Sequence, residues 1–402
     1  MARIVATLAF VLVLFSFGYS KDWIRVRVQV DGREAVQRVA DSSLILFDCR
    51  ISPPHTDLAV GPDQWGELLS LGLSYQVVEI LPDPHGWEQH AQVRNPDYRF
   101  NYLTQDQLMN LYETWRAESP QYVSRQQIAV SHNGEPVYAY RLGRQGTGPD
   151  HPGRVQRFVF VGGMHAREWI SHATVAHIFR KYLDLLQNPA AAPPILLDRV
   201  EVIVIPNLNP DGYRHSWNVQ RMWRKNRRNN GSSFGVDLNR NFSMGWGGQG
   251  SSGSPTSDTY RGPSAFSEPE TAGLRKFTQT LGNVAGFIDF HSYGQLILFP
   301  WGYVNQFCQH HNEHSTLGNQ MRNAILQTPG VSYTVQRAAQ LYVAGGCSED
   351  WAYSEFNTKA YTFELRNLNT FLLPESQIAP TQNETWEAVR VFIASNLFLK
   401  KY

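Results

Sequence analysis

The sequence predicts an α/β fold: a mixed, mostly parallel twisted sheet with helices on both faces, preceded by a small α+β unit. Three observations predict it. The chain has 402 residues with 42% apolar and 18% charged side chains, enough for a large core. Short apolar runs alternate with long amphipathic stretches, the pattern of buried parallel strands joined by crossover helices. A polar segment separates this region from a short N-terminal part with strand-like alternation.

The N-terminus carries an address. Arg3 precedes an apolar run over 4–18, and small Ser20 marks a cleavage point. A spanning helix needs about 20 apolar residues; this run is shorter and soon meets Lys21 and Asp22. Residues 1–20 therefore read as a signal peptide, and the protein as secreted, or periplasmic in a Gram-negative cell. After signal removal no membrane association is expected. The formal net charge of +1 gives no field to recruit nucleic acid or acidic membranes. Residues 23–30 (WIRVRVQV), 58–60 and 74–80 read as strands, and 62–71 as a short helix stopped at Gly72. Residues 21–81 form the α+β unit, and 82–99, rich in Pro, His, Asp and Gln, a linker.

The second region, 100–402, opens with a Thr104-capped helix over 105–118. Buried strands are expected at 156–163, 199–206, 284–290 and 360–366, and helices at 169–186 and 385–399. Residues 228–236 and 243–258 read as surface loops. Of the three cysteines, Cys308 and Cys347 form the expected disulfide, since Cys49 falls in the other unit; three free, buried thiols remain the alternative.

The sharpest chemical signal is His165-Ala166-Arg167-Glu168, just after the 156–163 strand. Ligands in open α/β sheets bind outside the carboxyl ends of strands. A His and a Glu three apart at such a junction can face one ion, and His291, directly after the 284–290 strand, supplies a third donor. Two His and one Glu suit zinc with a position left open for water. An HxxE pair alone is weak, because a capping His and a first-turn Glu produce it too. Two other groups compete. His172 and His177 lie five apart on one helix and read as packing residues. His310–His314 fits the inverted motif H-x-x-E-H, but the segment is polar, has no strand-end partner, and reads as a solvated turn.

Six motifs in order resemble the zinc carboxypeptidases related to pancreatic carboxypeptidases A and B, over roughly 102–402. They are HAREW (165–169), RMWRKNRR (221–228), GVDLNRNF (235–242), FIDFHSYGQLILFPWGY (287–303), LYVAGGCSEDWAY (341–353) and TFELR (362–366). The resemblance implies one zinc ion held by His165, Glu168 and His291. It implies Glu364 as general base and Arg224 as oxyanion stabiliser. Asn239 and Arg240 would grip the terminal carboxylate and Tyr342 would close over it. Arg167, Ser292 and Tyr293 would line neighbouring subsites, and Asp237 would orient the first His. The implied partners are the C-termini of peptides and proteins, and a monomer is expected. More loosely, 21–81 resembles the pro-segments of such enzymes, with cleavage in 82–99 releasing activity.

The chemistry agrees. A peptide carbonyl needs a Lewis acid and an activated water, a positioned proton acceptor and donors for the developing oxyanion. A chain end is recognised by a guanidinium that matches a carboxylate bidentately. By the resemblance, Glu349 falls where pancreatic enzymes place the pocket-bottom residue and would favour terminal Lys or Arg, unless Arg337 pairs with it; the expectation is a basic or mixed preference. A non-catalytic relative would have lost a ligand or Glu364, and neither is lost. An amidase or deacylase is disfavoured by intact Asn239, Arg240 and Tyr342.

Overall fold

The computed structural model describes residues 24–42, 44–46, 53–61, 64–80, 96–144, 155–191, 194–328 and 331–399. The expected signal peptide, Cys49 and residues 82–95 of the expected linker lie outside them. The chain divides into two compact units, one of residues 1–89 and 256–258, the other of 90–255 and 259–402.

The first unit is a four-stranded antiparallel sheet of β1 (Ile24–Gln29), β2 (Ile45–Leu46), β3 (His55–Val60) and β4 (Tyr75–Ile80), in the order β2-β3-β1-β4. Alternation along β1 sends Ile24, Val26 and Val28 into a core with Val39, Leu58 and Leu68. On the other face Arg25 and Arg27 both pair with Asp57 of β3. The helix Trp65–Ser70 matches expectation. The helix Gly32–Asp41 was not anticipated: it buries only Ala35 and Val39, too sparse a stripe to announce itself.

The second unit holds an eight-stranded sheet. Its strands are β5 (Val123–Val130), β6 (Pro136–Leu142), β7 (Gln156–Val161), β8 (Val200–Ile205), β9 (Val284–His291), β10 (Leu296–Phe299), β11 (Thr334–Arg337) and β12 (Lys359–Glu364). The order is β11-β10-β12-β9-β7-β8-β6-β5. Pairs β10·β11, β9·β12, β7·β9 and β7·β8 are parallel; β10·β12, β6·β8 and β5·β6 are antiparallel. The expected four central strands are all present. The edge strands β5 and β11 and the neighbouring β10 escaped notice because β5 is mostly exposed and β10 and β11 have four residues each.

Alternation along β7 places helices on both faces. Val159 and Val161 pack with Leu274, Phe277 and Trp351, from the helices Pro269–Thr280 and Ser348–Phe356. Phe158 and Phe160 turn the other way, against Phe392 of the helix Ile378–Leu399. That last helix begins earlier than expected, because Pro380 sits in the first turn where its missing N–H costs nothing. The helix Gln105–Glu118 starts at a full capping box between Thr104 and Gln107.

Two expectations need correction. Cys308 and Cys347 are both free, buried thiols rather than a disulfide: Cys347 Sγ accepts from Arg240 Nη1 at 3.6 Å instead. The 310–314 segment is not a solvated turn. It enters the helix His311–Gln327 and buries His314. His314 Nδ1–H donates to His310 O (3.0 Å), Nε2 accepts from Ala360 N (3.4 Å), and Glu313 pairs with Lys359. Both imidazole nitrogens are used, so the inverted motif is no metal site.

Candidate metal centre and substrate cleft

The centre lies at the carboxyl ends of β7, β9 and β12. Past β7 the chain turns at Gly162 and Gly163. Gly163 has φ of +67°, and a Cβ there would sit 2.3 Å from His172 Nε2, so only glycine fits. Ser171 Oγ accepts from Gly163 N (2.9 Å) and donates to Phe290 O (2.6 Å), fastening this turn to β9. The turn delivers His165, and Glu168 at the start of the helix Trp169–Gln187. His291 ends β9.

These three buried side chains converge. One ligand atom of each lies within 4.8 Å of the others. Nδ1 of His165 is 2.9 Å from Glu168 Oε1, Nδ1 of His291 is 2.9 Å from Glu168 Oε2, and the two Nδ1 atoms are 2.9 Å apart. Their partners fix the tautomers. Arg224 Nη1, which can only donate, points at His165 Nδ1 (3.1 Å), so that nitrogen carries a lone pair and Nε2–H donates to Asp237 Oδ1 (3.1 Å). His291 Nε2–H likewise donates to Asp289 Oδ2 (2.8 Å). Two lone pairs and a carboxylate thus face one point, an arrangement that repels itself unless a cation is shared. Glu168, despite burial, is held far below the usual carboxylate range by His165 and His291. The donor set of two imidazoles and a carboxylate fits zinc.

Asp237 caps the turn Leu238–Arg240, accepting from Asn239 N (3.0 Å). Its other oxygen takes Arg224 Nη2 (2.9 Å) and Nε (3.2 Å). One cavity of about 30 Å³ has Asn239, Arg240, Tyr342, Glu349, Thr362 and Glu364 among its lining. Glu364 ends β12 as the register partner of His291. Its side chain makes no hydrogen bond to another described residue; Arg366 pairs instead with Glu384 (2.7 Å). Burial and the nearby Glu168 charge push Glu364 up to about 8. Arg240 is fixed by Gly250 O (2.8 Å) and Asn239 O (2.7 Å), and its Nη2 reaches Tyr342 Oη at 3.4 Å. Ser292 N donates to Glu168 Oε2 (3.2 Å). Phe371 joins the remaining two residues, carrying Arg167 over its ring at 4.2 Å and Tyr293 edge-on at 4.7 Å.

Arg337 does not reach Glu349: it donates to Gln306 O (3.0 Å) and lies over Phe307. Glu349 accepts from Thr362 Oγ1 (3.2 Å), and burial together with the Asp289 charge raises its value. Sequence reasoning missed Asp289, Ser348 and Phe371. Asp289 had a visible signal: a lone acid two residues before His291 in an apolar strand shares its face.

A second trio, His132, Glu268 and Glu270, also brings ligand atoms within 4.8 Å. Glu268 is already occupied by His132 (2.9 Å), Asn226 (2.8 Å) and Arg228 (3.0 Å). Burial, reinforced by the Glu268 charge, pushes Glu270 up to about 8 from an ordinary 4.5. Between those values the folded chain holds a proton that the unfolded chain has lost, so this group's contribution to stability falls as pH rises and levels off above the higher value. Glu270→Gln is therefore expected to melt above the parent near pH ~9, with the gap closing toward pH ~5. Melting curves at both pH values check this; a gap that widens on acidification contradicts it.

A family model described as zinc carboxypeptidase matches residues 108–388. Carboxypeptidase B of Astacus astacus is 36% identical over 300 residues, covering 72% of this chain and 95% of that protein. Carboxypeptidase A1 of Bos taurus is 36% identical over 307 residues, covering 74% and 71%. The crystal structure of thrombin activatable fibrinolysis inhibitor superposes with TM-score 0.80 at 25% identity, covering 94% of this chain and 99% of that one. Carboxypeptidase A from Helicoverpa armigera gives 0.78 at 25% identity, covering 95% and 99%. With its converging donor trio and its match over most of the chain, the protein belongs to the zinc carboxypeptidase family, hydrolases that use one zinc ion to cleave at peptide C-termini.

Proposed function

We propose that this chain is a secreted carboxypeptidase, made as a precursor, in which Glu364 is the general base and terminal Lys or Arg is preferred. The observation that carries the proposal is the register of β9 and β12, which sets Glu364 directly beside His291. Zinc held by His165, Glu168 and His291 would supply the Lewis acid that polarises the scissile carbonyl and acidifies water.

The protein's own groups divide the remaining work. Arg240, with Asn239, grips the α-carboxylate of the substrate, which sets the last peptide bond at the centre. Tyr342, at hydrogen-bond reach of Arg240, covers it. Glu364 removes the proton from the attacking water and passes it to the departing amine nitrogen. Arg224, held by Asp237, directs Nη1 into the centre, where the carbonyl oxygen gains charge. Residues 21–81 serve as a propeptide, 82–99 as the segment cut on activation, and 1–20 as the secretion signal.

Glu349 supports the basic preference. It is a buried acid lining the same cavity as Asn239 and Arg240, and Arg337 turns away from it.

One experiment tests both parts. Matched peptides ending in Arg, Phe or Glu, with free or amidated C-termini, are assayed with and without a chelator. Cleavage is expected only at free termini, fastest for Arg, abolished by chelation and restored by zinc. Equal cleavage of amidated peptides would defeat the exopeptidase reading; a clear preference for Phe would defeat the Glu349 argument.

A further inference from the structure

We propose that Asp289 is the positioning residue for His291, and that Ser348 ties it to Asn239, so that metal retention and carboxylate recognition share one buried network. The inference rests on the reading of His165, Glu168 and His291 as zinc ligands.

Asp289 and His291 stand two apart on β9 and therefore share a face of the strand. Asp289 Oδ2 accepts from His291 Nε2–H at 2.8 Å, in the fully buried interior. This acceptor fixes the proton on Nε2 and leaves Nδ1 as the lone pair aimed at Glu168 and His165. A carboxylate so placed orients the ring and strengthens its donor nitrogen. The two imidazoles are not held alike. Asp237 divides its charge between His165 and Arg224. Among the described residues, the ion pair of Asp289 is with His291.

Asp289 is not there for packing. Its Oδ1 is buried without a hydrogen-bond partner among the described residues, a cost that a small apolar or hydroxyl side chain would avoid. Its Oδ2 instead receives a second donor, Ser348 Oγ, at 2.7 Å. Ser348 opens the helix Ser348–Phe356, and its backbone N–H donates to Asn239 Oδ1 at 2.9 Å. The chain thus runs from His291 through Asp289 and Ser348 to Asn239, whose Nδ2, itself a donor, lies 3.4 Å from His291 Nε2 without bonding it. A shift of Asn239 on binding a substrate carboxylate passes through Ser348 to the group that holds His291.

The test compares the parent with Asp289→Ala, Asp289→Asn, Ser348→Ala and, as control, His291→Ala. The readouts are the zinc dissociation constant by chelator competition, the visible spectrum of the Co(II)-loaded protein, and the KM of a free-terminus peptide at saturating zinc. Asp289→Ala is expected to weaken zinc about 10–100-fold and to shift the cobalt bands. Asp289→Asn, which keeps the shape and an acceptor oxygen, falls between; it carries the test if the alanine variant does not fold. Ser348→Ala keeps its backbone N–H to Asn239 and loses only the Oγ donor to Asp289, so it is expected to weaken zinc and shift the cobalt bands in the same direction as Asp289→Ala but by less, and to raise KM along with them. Folded Asp289 variants with the parent's zinc affinity and cobalt spectrum overturn the proposal, provided His291→Ala loses zinc. If His291→Ala keeps the parent's affinity, the ligand reading itself fails.

Discussion

A Glu364→Gln enzyme is expected to lose about 10²–10⁴-fold in kcat while keeping its zinc. Glutamine preserves size and hydrogen bonding but has no basic carboxylate. Glu364 is not one of the converging donors, so the metal has no reason to leave. Metal content measured beside single-turnover rates separates the two effects. The pH profile adds a third reading. Burial pushes Glu364 up to about 8, and the base acts only when ionised, so kcat/KM should climb with pH through its titration. The positive charge of zinc draws that titration downward. The acid limb should vanish in the glutamine variant. A variant that keeps the parent rate and the limb would remove Glu364 from the chemistry.

Arg240→Ala is expected to cost two to three orders of magnitude in kcat/KM on free-terminus peptides. Charge-assisted hydrogen bonds contribute about 1.5–3 kcal/mol each, and about 1.4 kcal/mol is tenfold. The informative quantity is a ratio. In the parent, amidated peptides should be far poorer than free acids; in Arg240→Ala the difference should collapse. A variant that is uniformly slow with discrimination intact would point to loss of structure, since Arg240 also holds Gly250 O and Asn239 O.

Much of this was legible in the sequence, and the reason differs by level. The four buried strands were clear because burial on both faces leaves uninterrupted apolar runs, as in RVEVIVIP. Strands β5 and β11 were not, because edge strands keep polar faces and carry little signal. Thr104 announced its helix as a cap, and Gln107 completes the capping box in the structure. The converging donors were visible as strand-end His and Glu, and the motif order supplied the other candidates. What no local pattern carried was pairing across the chain. Arg337 choosing Gln306 over Glu349, Cys347 lying against Arg240 rather than Cys308, and Ser348 bridging to Asp289 are all long-range choices made by packing. Asp289 itself was readable, but its meaning depended on where His291 faced.

Side chains alternate along a strand, and Glu364 and His291 sit on neighbouring parallel strands as direct partners. A slip of β12 by one residue would carry the acid through to the opposite side of the sheet and put Phe363 in its place. Such a slip would turn every side chain of β12 over, burying a carboxylate among apolar groups and leaving the centre without the proposed base. Turnover per folded molecule is therefore sensitive to the alignment of these two strands.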